Sequence, residues 1–443
     1  MTTYWCELAW LGGERAETGV LVEIEGGVIV AVAAEQHPPP RDMRVLEGLT
    51  LPGLANAHSH AFQRVLRGRT QRASGSFWTW REQMYRVADR IDPESYFALA
   101  RATYAEMALA GVTTVGEFHY LHHGAGGAGY GDPNEMGRVL LAAAAEAGVR
   151  ITLLDCCYLH GGIGAPPDGT QRRFADASAD AWAGRVNDLD ESESARIGAA
   201  IHSMRAVDPE AAEAVASWAL ERERPLHAHV SEQPAENEAC LEAYGRTPTR
   251  LLEDAGALAA NFTAVHATHL DDGDVSVLGG ASACCCVCPT TERDLADGIG
   301  RMRRLADAGA SLSLGSDSHA VIDLFEEARA VELDERLASR QRVHHGAAAL
   351  LRAASAAGQA CLGWPEAGSI APGAPADLVT VSLDGVRLAG WETEFALDAV
   401  VFAAGASDVR SVVIDGHEIV RNGQHLNVNV PDELSEAIRR VVA

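Results

Sequence analysis

Histidines and carboxylates recur along this chain in short, regular patterns. His58 and His60 are two apart in N-A-H-S-H (56–60). Alternate residues of a strand face the same side, so both imidazoles can turn toward one ion. L-H-A-H-V-S-E (226–232) repeats the spacing with His227 and His229 and adds Glu232. L-G-S-D-S (314–318) ends an apolar run with Asp317. V-H-A-T-H-L (265–270) carries His266 and His269, three apart, so at most one of them faces a site; His266 is the nearer to the strand interior. Three histidines and a carboxylate from three strand ends suit Zn²⁺, with water completing the coordination. Each pattern alone fits surface histidines or a hydrogen-bonded core histidine, His227 or His229 included. Their joint occurrence points to a metal.

These residues need a scaffold that brings distant strand ends together. Apolar β-type runs fall near 50–57, 112–118, 149–157, 197–203, 225–230, 262–268, 282–288 and 311–315. Ala-, Leu- and Glu-rich stretches with helical spacing lie between most of them, at 94–110, 134–147, 209–222 and 236–255. Eight such runs in alternation predict an α/β fold, a (β/α)₈ TIM-like barrel whose active site lies at the C-terminal strand ends. The segment 162–192, Gly/Pro-rich and then acidic, reads as loop with a short helix. Strand-like segments at 20–34, 376–382 and 411–420, two of them with Gly-Gly or Asp-Gly turns, predict a small β-sandwich domain built from both termini. The expected division is 1–49 and 365–430 for the β domain, 50–364 for the barrel and 431–443 for a C-terminal helix.

Composition excludes several chemistries. All 36 basic side chains among the 443 residues are Arg, against 62 acidic ones, for a net charge of −26. Without Lys there is no P-loop, no Schiff base and no carboxylated-Lys bridge between two metals. The acidic balance argues against nucleic acid and anionic membrane as partners. No signal peptide is read at Met1–Trp10, and the Ala-rich stretch 346–363 is too polar to span a bilayer. Nine cysteines without an export signal predict reduced thiols in a cytoplasm.

P-G-L-A-N-A-H-S-H (52–60), H-V-S-E (229–232), H-A-T-H-L (266–270) and G-S-D-S (315–318) together resemble the amidohydrolase superfamily, on its mononuclear-zinc deaminase branch. The resemblance spans the barrel and the terminal β domain. It implies one Zn²⁺ per chain on His58, His60, His229 and Asp317, with Glu232, His266 and Asp317 as catalytic residues. The absence of Lys agrees with a one-metal site. H-S-H-A-F-Q-R (58–64), S-F-W-T-W-R-E-Q-M-Y (76–85), E-F-H-Y-L-H-H (117–123), H-S-M-R-A-V (202–207) and C-P-T-T-E-R-D-L-A-D-G (288–298) resemble, more narrowly, the deiminases of that branch that act on N-formimino-L-glutamate. That implies release of ammonia from a small dicarboxylate, held by Gln63, Arg81, Tyr120, His202 and Arg205, in a homodimer. Arg suits a carboxylate because its planar fork pairs bidentately.

Other readings stand beside this one. A related zinc deaminase or chlorohydrolase would need a pocket for a planar purine or triazine. A non-catalytic scaffold derived from the fold would usually lack the ligands present here. Arg64, Arg67, Arg69 and Arg72 read as a solvated loop or an interface. Trp78 and Trp80 fit a pocket wall and ordinary packing equally. The cluster Cys284–Cys286 and Cys288 reads as buried small residues, because adjacent strand positions face opposite sides and cannot converge on an ion. His119, His122 and His123 are expected in supporting or loop positions, since the metal set is complete without them.

Overall fold

The computed structural model of the protein describes residues 1–37, 43–72, 74–258 and 261–443. Eight parallel strands follow in chain order: Leu54–Ser59, Val112–His119, Arg150–Cys157, Ala195–Ile201, Leu226–Val230, Phe262–His266, Cys284–Val287 and Ser311–Leu314. Most are buried along their whole length, because helices cover the outside and side chains fill the inside. The first and last strands meet at the C-terminal mouth. There the Asp317 N–H donates to the His58 carbonyl at 2.9 Å, and the His60 N–H donates to the Asp317 carbonyl at 3.2 Å. The backbone of the candidate ligands therefore closes the barrel.

The helices begin where the sequence supplies caps. Asp92 accepts the Ser95 N–H ahead of Pro93–Leu109, and Asp208 accepts the Ala211 N–H ahead of Pro209–Glu221, each with Pro at the first helical position. The stretch 236–255 is two helices, Pro234–Tyr244 and Pro248–Asp254. Gly245 ends the first with a left-handed φ of 67°, and the Thr247 side chain caps the second. Residues 162–192 are mostly loop, with a 3₁₀ turn at Gly169–Arg173 and a helix at Ala179–Val186.

Both termini build the second sheet. Leu378–Val381 pairs directly with Arg44–Pro52, from Leu378↔Pro52 to Val381↔Leu49. That pairing joins the N-terminal strands to Val409–Ile414, His417–Arg421 and Gln424–His425 in one eight-stranded order, the small β domain expected from both termini, and its far edge folds back where the Ile29 N–H donates to the Ala374 carbonyl at 2.9 Å. Val430–Val442 forms the last helix. The described cysteines are all free, and no helix of the described residues is long and apolar enough to cross a membrane.

Candidate active site

Strand ends bring the predicted donors to one point at the mouth of the barrel. His58 Nε2 lies 3.2 Å from His229 Nε2 and 3.3 Å from Asp317 Oδ1, and His60 Nε2 lies 3.4 Å from the same oxygen. All four residues are buried. The approach is tight enough to require Gly315: a Cβ there would stand 2.7 Å from His58 Cβ and 2.9 Å from Cys288 Sγ. The backbone turns sharply as well. Asp317 and His266 have left-handed φ of 42° and 68°, which β-carbon-bearing residues adopt at a cost of about 1–3 kcal/mol each, and which swing both side chains inward as their strands end.

The donor chemistry fits a cation. His60 Nδ1–H donates to the Phe118 carbonyl at 2.9 Å, and His229 Nδ1–H to the His202 carbonyl at 2.8 Å. Each ring then presents a bare Nε2 lone pair to the centre. Burial pushes the Asp317 carboxyl up, but the hydrogen bond from His58 and the nearby imidazoles outweigh it and hold it below the usual carboxylate range. Only His58, whose buried Nδ1 has no partner, can offer a proton, and one proton cannot serve both His229 and Asp317. An ion among these atoms relieves the repulsion. Ligands at about 2.0–2.1 Å from a tetrahedral zinc would be about 3.3 Å apart, close to the three separations seen. His58, His60, His229 and Asp317 could therefore hold such a metal.

Glu232 and His266 stand over this centre. His266 Nε2 is 3.9 Å from Glu232 Oε1 and 3.9 Å from Asp317 Oδ2, so a reacting atom between them can reach all three groups. Glu292 Oε1 anchors His266 Nδ1 at 3.3 Å and also accepts the Cys288 N–H at 2.9 Å. Burial disfavours an imidazolium here, yet Glu292, Glu232 and Asp317 raise His266 to about 10. Arg205 Nη2 donates to Glu232 Oε2 at 3.1 Å.

A cavity of about 280 Å³ opens above these groups. Gln63, Arg81, Tyr120, His202 and Arg205 all line it, together with His60, His229, Glu232, His266 and Asp317. Gln63 Nε2 donates to Tyr120 Oη at 2.9 Å, and its buried Oε1 has no partner. Burial, with Arg205 beside it, keeps His202 well below the usual histidine range, so its ring is neutral. Arg81 belongs to the helix Phe77–Ala88, and its guanidinium lies over Trp78, 4.5 Å from the ring centroid. Phe77, Trp78 and Trp80 are all on the wall.

Several histidines fall elsewhere. His227 shares a strand side with His229 but sits deeper, with Nε2 bonded to the Cys361 carbonyl at 3.0 Å. His269 begins the loop and donates to the Asp297 carbonyl at 2.8 Å. His119, His122 and Asp155 are close enough for a metal, but Arg185 takes both Asp155 oxygens, at 2.8 and 2.9 Å. His123 bonds the Ala175 carbonyl. Among the described residues, no cysteine belongs to a group of potential metal ligands. Sequence reasoning assigned no role to Glu236, Glu292 or Glu117. Glu117 bonds Ser59 Oγ at 2.6 Å and the Ala61 N–H at 2.7 Å, bracketing His60. The signals were a second Glu four residues after Glu232 and the Glu of C-P-T-T-E-R.

Comparison with known proteins identifies the family and the fold. The amidohydrolase family profile matches residues 49–419. Formimidoylglutamate deiminase of Pseudomonas aeruginosa is 38% identical over 394 residues, covering 86% of each chain. The crystal structure of an amidohydrolase from Brucella melitensis superposes with a TM-score of 0.92 at 33% identity over 100% of both chains. Atrazine chlorohydrolase from Arthrobacter aurescens, solved with zinc, shares the fold with a TM-score of 0.86 at 23% identity, again over 100% of both chains.

Proposed function

The chain belongs to the amidohydrolase family, and from that premise we propose that it is a zinc-dependent deiminase converting N-formimino-L-glutamate to N-formyl-L-glutamate and ammonia. The observation that carries this is that two guanidinium groups, Arg81 and Arg205, line one cavity with His60, His229 and Asp317 of the donor set, His58 lying buried directly behind them. A dicarboxylate can be gripped through its two carboxylates there while its formimino carbon faces the donors. The relative from P. aeruginosa supports the same substrate, and the zinc of the chlorohydrolase supports the metal.

When bound, zinc supplies a Lewis acid that makes water nucleophilic at neutral pH. Asp317 accepts the proton of the attacking water. His266, within reach of both Asp317 and Glu232, hydrogen-bonds the incoming oxygen. Attack on the C=N carbon gives a tetrahedral carbon. Glu232 delivers a proton to the imine nitrogen as the carbon is attacked. The proton held by Asp317 then passes to the same nitrogen, and cleavage of the C–N bond releases ammonia while the hydroxyl proton returns to Glu232 and leaves the formyl C=O. Arg81 and Arg205 hold the carboxylates, while Gln63, Tyr120 and the neutral His202 supply further hydrogen bonds to the substrate.

A second reading has its own support. Tyr120, Tyr158 and Phe174 give the cavity aromatic walls, which suit a planar purine or triazine. Ammonia release from N-formimino-L-glutamate, set against adenosine-type and guanine substrates, separates the two. Turnover of a ring compound without turnover of the formimino amino acid refutes the main reading.

A further inference from the structure

We propose that Glu236 is a positioning residue for this deimination, setting both the guanidinium of Arg205 that takes a substrate carboxylate and the main chain that carries Glu232. The inference rests on the functional reading above and adds a residue to it.

Glu236 lies in the first turn of the helix Pro234–Tyr244. A glutamate there usually reaches solvent, but this one is 0% exposed. One carboxylate oxygen, Oε2, accepts the Glu232 N–H at 3.2 Å. The other, Oε1, has no hydrogen-bond partner and faces Arg205 Nε, equally buried and unpartnered, at 3.9 Å. A buried carboxylate costs several kcal/mol unless a cation compensates it, and Arg205 is the cation in contact. Burial and the adjacent Glu232 push Glu236 up to about 7 against the pull of Arg205.

The guanidinium is a rigid plane with fixed donor directions. Its Nη2 is committed to Glu232 and its Nε points to Glu236, so the edge carrying these atoms faces the two carboxylates. Nη1, on the remaining edge, has no hydrogen-bond partner among the described residues, and Arg205 lines the cavity. Two carboxylates thus clamp one edge of the fork so that the other is presented to a substrate carboxylate in a fixed orientation. Because the same Glu236 holds the Glu232 backbone, the carboxylate-binding group and the proton-transferring group keep a fixed relation.

The test is Glu236→Gln in the zinc-loaded, full-length protein, assayed with N-formimino-L-glutamate, alone and in an Arg205→Met background. The amide keeps the volume and an acceptor for the Glu232 N–H but removes the charge. KM should rise about tenfold, as expected for loss of about one charge-assisted contact, with kcat within threefold of wild type. In the Arg205→Met background the same change should alter kcat/KM less than twofold, because its effect runs through Arg205. A KM within twofold of wild type overturns the proposal, as does an undiminished loss in the Arg205→Met background. Should the amide variant not fold, Glu236→Asp carries the test: the shorter arm withdraws from both Arg205 and the Glu232 N–H, so a raised KM together with a lowered kcat is expected, and an unchanged KM overturns it. Zinc-loaded wild type that releases no ammonia refutes the functional reading and this inference with it; active wild type with an unaltered Glu236→Gln refutes the inference alone.

Discussion

Replacing Arg81 by Met should raise KM for N-formimino-L-glutamate by roughly 10- to 150-fold and leave the fold nearly untouched. Arg81 lies over Trp78 and within 5.4 Å of the Tyr85 ring centroid, and it forms no ion pair with a described residue. Its charge is therefore free for a ligand. A hydrogen bond to a charged group contributes about 1.5–3 kcal/mol, and each 1.4 kcal/mol is a factor of ten; partial exposure of Arg81 places it toward the lower end. Methionine keeps the apolar stem against Trp78, so stability loses only the cation–π contact, about 0.5–1 kcal/mol at an exposed site. The assay is steady-state ammonia release for KM and kcat, with urea unfolding for stability. The same substitution at Arg205 should behave differently. It leaves Glu232 and Glu236 buried without their cation, so stability should fall by about 3 kcal/mol and kcat should drop along with affinity. A KM for Arg81→Met within threefold of wild type, with normal kcat, would refute the idea that this guanidinium holds a carboxylate.

Glu232→Gln should lower kcat by about 10²–10⁴-fold with zinc content unchanged by metal analysis, since Glu232 is outside the donor set; more than a tenth of wild-type turnover would exclude it as the proton carrier. Chelation should lower the melting temperature, and zinc at a thousand times its Kd should restore about 4 kcal/mol; a transition indifferent to chelator and zinc would contradict the metal. Burial, reinforced by Arg185, drives His122 down to about 4, so the ring is neutral in the folded protein. The unfolded chain binds the proton first, so this contribution is complete above pH 6.5 and is lost as pH falls toward 4. Between pH 7 and 5 the wild type should therefore lose about 2 kcal/mol more stability than His122→Asn, read from urea midpoints. Equal losses would show that His122 titrates normally.

Much of the site was legible because chain-local rules govern it. Strand alternation puts His58 and His60 on one side, and the order of apolar runs places their strand beside the one ending in Asp317 once the barrel closes. The same alternation left His227 and His229 equivalent; only depth along the strand separates the candidate ligand from a residue bonded to Cys361. The segment 236–255 read as one helix because its composition is helical throughout, and the break depends on two residues, Gly245 and Thr247.

The sequence by itself determined the fold class, the donor types, the absence of any lysine chemistry and the arginines available for an anion. These follow from composition and from periods of two to four residues, which act within a single element. Tertiary structure alone decided which carboxylates serve those groups. Glu292 behind His266, Glu117 beside the His58–His60 turn and Glu236 against Arg205 are charges whose partners come from other strands or loops. Their local patterns, such as a second Glu four residues after Glu232, do not reveal these partners, because the cost of burying a carboxylate is offset only by groups that the closed barrel brings within reach.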